Sequence, residues 1–262
     1  MAQKNLISLA SKVIAIFLIA IIFSSCSKGD KEIISFYENG SPKLIYFTKT
    51  KNGVKEKVFE QMYYENGKLQ YVGNFINNEK TGKWEYYFQN GTLFSKCDYT
   101  NSKSGFNWEV YKMDKTKLVN KNDKVEEVTF YVEGGLAAIR VKNQTQEKEY
   151  RFFPSYRLME ERELKGNILN GQILSFYENG NINSKNYFKD GMQDSIYILY
   201  YENGKVQIKG NYKMDNKIGK WEYFKEDGSF DGDELYTEDG SIIKPRNSGM
   251  KYFDKDGNQI MI

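Results

Sequence analysis

The chain has 262 residues, with 38 basic and 35 acidic side chains, 21 tyrosines, 17 phenylalanines, two cysteines and no histidine. Without histidine, triads built on that base and zinc sites of the Cys/His type are excluded, and two cysteines cannot build a disulfide framework. A formal net charge of +3 gives no domain-wide basic bias of the kind nucleic-acid binding requires.

Residues 1–25 read as a secretory signal. Lys4 and Lys12 precede an apolar run of 11 residues from Val13 to Phe23, too short to span a bilayer and of the right length for an export h-region. Phe23-Ser24-Ser25-Cys26 resembles a bacterial lipobox, a resemblance that implies lipidation of Cys26 as the mature N-terminus. Removal of the signal leaves 36 basic against 35 acidic side chains, so the apparent basicity belongs to the leader. Residues 26–32 are either a lysine-acid tether, of the kind some Bacteroidota-type lipoproteins carry to the outer leaflet, or an ordinary solvated linker. Stable anchoring needs more than one acyl chain, each buried methylene contributing about 0.8 kcal/mol.

From residue 33 to 111, and again from 171 to 230, the chain repeats. Tyr64-Glu65-Asn66-Gly67, Phe88-Gln89-Asn90-Gly91, Tyr177-Glu178-Asn179-Gly180 and Tyr201-Glu202-Asn203-Gly204 place their glycines 24 residues apart within each pair. Counting from the glycine, an apolar residue follows at the second position, an aromatic ring at the eighth (Phe75, Tyr99, Phe188, Tyr212) and Trp84, Trp108, Tyr197 or Trp221 at the seventeenth. Asn-Gly favours a two-residue type I′ hairpin turn, because glycine reaches positive φ without strain. That turn sets Phe88 against Leu93, Tyr86 against Ser95, Trp84 against Cys97 and Tyr197 against Gly210, pairing bulky rings with small residues. A more polar turn, as at Asn77-Asn78 or Met214-Asp215, closes each unit. The expected fold is all-β: an elongated antiparallel meander of hairpins in which each repeat contacts chiefly its neighbours, not a closed propeller. Trp84, Tyr86, Tyr99, Trp108, Tyr197, Tyr212, Trp221 and Tyr223 are the expected repeat core.

Gly82-Lys83-Trp84-Glu85-Tyr86-Tyr87 and Gly219-Lys220-Trp221-Glu222-Tyr223-Phe224, each followed by x-Asn-Gly or x-Asp-Gly, resemble the bacterial variant of the MORN repeat over about 58–111 and 171–230. The resemblance implies a twisted hairpin array used for interaction or scaffolding. Bacterial members are often labelled antitoxin components of toxin–antitoxin systems.

Residues 112–170 depart from the pattern. Asp114-Lys115 stands where Asn-Gly is due, and Gly91 to Gly180 spans 89 residues, which is not a multiple of 24. The segment is either degenerate repeats continuing the sheet or a β insertion. A hairpin over Val125–Val132 and Leu136–Val141 is expected, then strands over Glu149–Phe153 and Arg157–Leu164, with a short helix over Leu158–Lys165 as the alternative. Residues 231–262 read as a degenerate repeat or cap.

Catalysis is not expected. Glu65, Glu178 and Glu202 recur at one turn position as part of the repeat, and Asp231, Asp233 and Glu234 lack a full calcium-loop pattern. No catalytic residue, cofactor or metal is assigned, and Cys97 reads as a small apolar residue opposite Trp84. The face away from Trp84 also bears rings, namely Tyr63, Tyr87, Phe176, Tyr200 and Phe224. These are either covered by neighbouring rings through strand twist or exposed as a partner-binding row. The expectation is a non-catalytic lipoprotein of the bacterial envelope, in the outer membrane and facing the periplasm or the surface. Its repeats bind a protein or surface polymer as a scaffold. An antitoxin-like or immunity protein sequestering a toxin met in the envelope is the alternative, and a binder of lipid surfaces through the repeats is a third reading. No nucleic-acid partner is expected.

Overall fold

The computed structural model describes residues 29–100, 106–120, 123–132, 135–246 and the strand pair 252–253 and 259–260. Cys26 and the signal lie outside the described residues. All described elements are strands. Eight of them, from Asp30–Phe36 to Lys117–Val119, pair with their neighbours in strict chain order as one antiparallel meander. A second, twelve-stranded antiparallel sheet runs from Lys124–Phe130 to Ile242–Lys244, with the two-residue strand Met192–Gln193 paired only to Ile182–Lys189. Among the described residues no barrel is closed.

The Asn-Gly turns correct the expected turn type. Phe88 N–H donates to Thr92 O (2.9 Å) and Gly91 N–H to Phe88 O (2.7 Å), so the loop has three residues and only Gly91 takes positive φ, at 87°. This is a type I turn followed by a left-handed glycine, which forms a bulge. The same pair of bonds recurs at Tyr64–Lys68, Tyr177–Asn181 and Tyr201–Lys205. Asn90 stays at negative φ because its side-chain oxygen accepts the Thr92 N–H at 2.9 Å, an Asx arrangement that favours the type I form. The bulge moves one pairing: Trp84 faces Cys97, Tyr86 faces Ser95 and Tyr197 faces Gly210 as expected, but Leu93 faces Tyr87 rather than Phe88. The two-residue type I′ geometry is found instead at the polar turns. Asn77 and Asn78 have φ of 52° and 62°, and Met214 and Asp215 have 49° and 67°.

The segment that departs from the repeat closes the first sheet with Lys117–Val119 and opens the second with strands Lys124–Phe130, Leu136–Lys142, Glu147–Phe152 and Leu158–Lys165, the last a strand and not a helix. Its turns keep the repeat's hydrogen bonds. Lys112–Thr116 and Phe153–Arg157 close as the Asn-Gly turns do, with Lys115 (φ 70°) and Tyr156 (φ 66°) in the slot that glycine holds elsewhere. Left-handed φ costs a non-glycine residue about 1–2 kcal/mol. At Tyr156 that cost is offset by packing: the ring is 1% exposed and stacks on Phe94 at 4.6 Å.

This stacking adds a long-range contact to an array whose repeats otherwise meet chiefly their neighbours, as expected. Phe94, Tyr86 and Trp108 of the first sheet touch Phe152, Tyr156 and Phe130 of the second. One apolar core runs from Met62 to Tyr156 and includes Leu136 and Ile139, both fully buried. The divergent strands therefore form a lid over the aromatic face of the first array.

Register then fixes what happens to the second array. Ile139, which faces the first sheet, pairs with Tyr150, and the same face continues through Glu161, Leu174, Lys185, Ile198, Lys209 and Glu222. Side chains alternate along each strand, so Tyr197, Trp221 and Tyr223 lie on the opposite face. The apolar core shared by the two sheets stops short of them.

Candidate functional site

The repeated residues do two structural jobs. One is a ladder along the row of turns. Tyr64 Oη donates to Tyr87 O (2.8 Å), Tyr177 to Tyr200 O (2.6 Å), Tyr201 to Phe224 O (2.9 Å) and Tyr37 to Tyr63 O (2.6 Å), so each hydroxyl holds the backbone entering the next turn. Asn66, Asn179 and Asn203 donate to the carbonyls of Gln89, Glu202 and Glu226 beside them. Glu65, Glu178 and Glu202 are exposed at this edge.

The second job is a three-layer stack. Trp84 lies on Gly73 and its indole N–H donates to Asn74 O at 3.2 Å; Trp221 lies on Gly210 and donates to Asn211 O at 3.2 Å. Above each indole sits a lysine ammonium, Lys80 Nζ at 4.3 Å and Lys217 Nζ at 4.4 Å from the ring centroid, a cation–π contact.

The two stacks differ in what surrounds them. Lys80 is roofed by Phe130 of the lid, 4.5 Å from its ring, and burial pulls its pKa down to about 8. Trp84 and Tyr86 are fully buried, with Tyr99 and Trp108 nearly so. In the second array Glu234 replaces Cys97 opposite the indole. It accepts from Lys217 Nζ (3.2 Å), Tyr236 Oη (2.8 Å) and Tyr223 Oη. Burial pushes the Glu234 carboxyl up, but the hydrogen bonds from Tyr223, Tyr236 and Lys217 outweigh it and hold the group below the usual carboxylate range. Tyr197, Leu199, Ile208 and Tyr212 are only half-buried, although Trp221 and Tyr223 are enclosed by their neighbours. Tyr197, Tyr212 and Trp221 pack on one another at 4.9–5.8 Å, and Arg246 lies over Tyr223 at 4.3 Å. The result is an aromatic platform with a fixed Lys217–Glu234 pair, open where the first array is roofed. The substitution of Glu234 for Cys97 is the one sequence signal that could have separated the two arrays.

The rings predicted on the other face are half-buried and tied down individually. Tyr63 donates to Gln61 (3.1 Å) and Tyr87 to Glu85 (2.5 Å), each two residues back on its own strand. Phe176, Tyr200 and Phe224 lie under Lys112, Lys185 and Lys209 at 5.9, 6.0 and 5.4 Å. Asp231, Asp233 and Glu234 do not converge: Asp231 pairs with Arg246, Asp233 with Lys244 (2.6 Å) and Glu234 with Lys217. Among the described residues no cluster of acids, cysteine or histidine is arranged to hold a metal, and no helix is long and apolar enough to cross a membrane. Cys97 is a buried free thiol whose pKa is pushed up by burial.

No curated protein matches the chain. Similar solved chains include TcdB2-TccC3-TEV, at 10% identity over 88% of this chain and 15% of that one with a TM-score of 0.18. Another is in the Photorhabdus luminescens Tc holotoxin pore, at 8% identity over 90% of this chain and 18% of that one with a TM-score of 0.22. The chain spans less than a fifth of the length of either, and superpositions that poor carry no argument. The MORN repeat variant matches residues 60–77, 80–101, 169–190 and 193–214, which are the strand pairs flanking the turns at Gly67, Gly91, Gly180 and Gly204. Four segments of the chain therefore match the MORN repeat variant, two in each sheet.

Proposed function

We propose that the protein is a non-catalytic, lipid-anchored envelope protein that binds a protein or a surface polymer through the open aromatic face of its second repeat array. One observation carries this reading. Two equivalent Lys-Trp-Gly stacks exist in one chain, and the first is roofed by the chain's own strands while Tyr197, Leu199, Ile208 and Tyr212 beside the second are left half-exposed. Rigid aromatic rings framed by fixed charges are the composition that recognition hot spots favour. The lid over the first array is the intramolecular analogue of what the second would take from outside. Anchoring at Cys26 would hold this face at a membrane surface.

A photoreactive residue placed at Tyr212 in intact host cells should yield a defined adduct, and one placed at Tyr87 should not. Leu199→Glu should abolish the adduct while the melting temperature holds. Adducts indifferent to Leu199→Glu, or formed at Tyr87 alone, would remove the open face from consideration. Cys26→Ser should block incorporation of a palmitate analogue and release the protein from membranes; a native protein that alkaline carbonate strips from membranes has no lipid anchor.

A further inference from the structure

The tyrosine ladder breaks at Phe88, which has no hydroxyl, and there the turn row of the first sheet meets that of the second. A cavity of about 240 Å³ opens to solvent at this seam, between the turns at Asp114, Tyr156 and Gly180. Five rings, Phe88, Tyr111, Phe152, Tyr156 and Phe176, line it. Tyr156 reaches it only by holding the left-handed backbone that glycine takes at the equivalent turns.

The mouth carries two cations, Lys112 and Arg157, against one acid, Asp114. Several cationic side chains of the sheets are paired: Arg140 with Glu127, Arg162 with Glu160, Lys117 with Glu109, Lys148 with Glu161. Lys112 and Arg157 have no such partner among the described residues. Arg157 uses one Nη on Glu178 O at 2.6 Å, leaving other N–H groups to donate, and Lys112 lies only loosely over Phe176 at 5.9 Å. Asp114 spends its carboxylate on the Thr116 N–H at 2.9 Å.

We infer that this seam cavity is a binding site for a small organic monoanion, a carboxylate on an apolar body of about two fused rings. An apolar cavity of about 150 Å³ accepts benzene, so the larger volume here suits a bicyclic body. The ring walls supply the apolar contact and Lys112 and Arg157 the charge-assisted hydrogen bonds to the carboxylate. The site is separate from the open aromatic face and stands whether or not that face binds a partner.

The test is calorimetric titration of full-length protein in lipid nanodiscs, with empty nanodiscs as the blank, using 2-naphthaleneacetate and its neutral analogue 2-naphthaleneacetamide. The acid should bind at least tenfold more tightly than the amide. Lys112→Met combined with Arg157→Met should bring the acid down to the amide's affinity. Leu118→Trp, or Met113→Phe where the first fails to keep its melting temperature, should fill the cavity and remove both. No binding by the native protein, equal affinity for acid and amide, or unchanged binding in a folded filled variant would each overturn the assignment.

Discussion

Trp84 lies flat against Gly73, and a methyl group added at that glycine would fall inside the indole ring. The same contact recurs between Trp221 and Gly210. Glycine is required here for close approach rather than for its backbone freedom, since neither residue has positive φ. Gly73→Ala should destabilise by about 3 kcal/mol, because Trp84 is sealed beneath the lid and cannot move aside. Gly210→Ala should cost less, about 1 kcal/mol, because the half-exposed rings around Trp221 leave room to yield. Urea melts of the two variants check the order, and equal losses would mean that the second array is as tightly packed as the first.

The turn ladder is a set of nearly independent hydrogen bonds, one per repeat. Tyr64→Phe, Tyr177→Phe and Tyr201→Phe each remove one hydroxyl donor from a half-buried carbonyl, and each should cost about 1 kcal/mol. Tyr64 and Tyr177 lie in different sheets, so the double variant should be additive within about 0.5 kcal/mol. Chemical denaturation of singles and double decides it; a loss from Tyr64→Phe near zero would assign the ring, not the hydroxyl, as the reason for tyrosine in the motif.

The repeat units were legible because large rings face small residues at fixed spacing, and Trp84–Cys97, Tyr86–Ser95 and Tyr197–Gly210 follow from that alternation alone. The turn type was not, because Asn-Gly serves both hairpin geometries. What decides between them is whether the Asn side chain bonds its own backbone two residues on, as Asn90 does to Thr92. The divergent strands concealed their kinship because Lys115 and Tyr156 occupy the glycine slot while the backbone repeats unchanged. The lid itself is a long-range event, made by Phe130, Phe152 and Tyr156 meeting Trp108, Phe94 and Tyr86, and no local period encodes it. Which of the two equivalent faces stays open is therefore set by the lid and not by the repeat.

Met214 offers a stabilising change. It holds φ of 49° at the first central position of a two-residue turn and is 55% exposed. At the equivalent place the first array has Asn77, with φ of 52°. Asn tolerates left-handed backbone better than Met, so Met214→Asn should stabilise by about 0.5–1 kcal/mol. Asp215 should be left alone, because its carboxylate accepts the Gln193 N–H at 2.6 Å. A lowered melting temperature for Met214→Asn would show that the methionine side chain contributes packing that outweighs its backbone cost.

Lys80 and Cys97 should give the folded protein an unusual alkaline profile. Burial lowers Lys80 from 10.5 to about 8. Above pH 8 the folded state therefore sheds a proton that the unfolded chain keeps until about 10.5, and stability rises with pH. Burial raises the Cys97 thiol from its ordinary 9.0. Above pH 9 the unfolded chain loses a proton that the folded state keeps, and this cancels the Lys80 slope. From about pH 9 the tyrosines whose pKa values burial has raised, Tyr71, Tyr86 and Tyr99 among them, start to ionise in the unfolded chain alone and pull the profile downward. The Lys80 contribution, read as the native protein minus Lys80→Met, should thus climb by about 1 kcal/mol between pH 8 and 9. Cys97→Ala should lessen the fall above pH 9. Lys80→Met should abolish the climb and leave a decline from pH 9. Cys97→Glu, which copies Glu234 of the second array, should give Lys80 a carboxylate partner and flatten the rise. Denaturant midpoints at half-unit steps from pH 7.5 to 10.5 read all four profiles, and a native protein whose profile from pH 8 to 9 runs parallel to that of Lys80→Met would place Lys80 in water rather than beneath the lid.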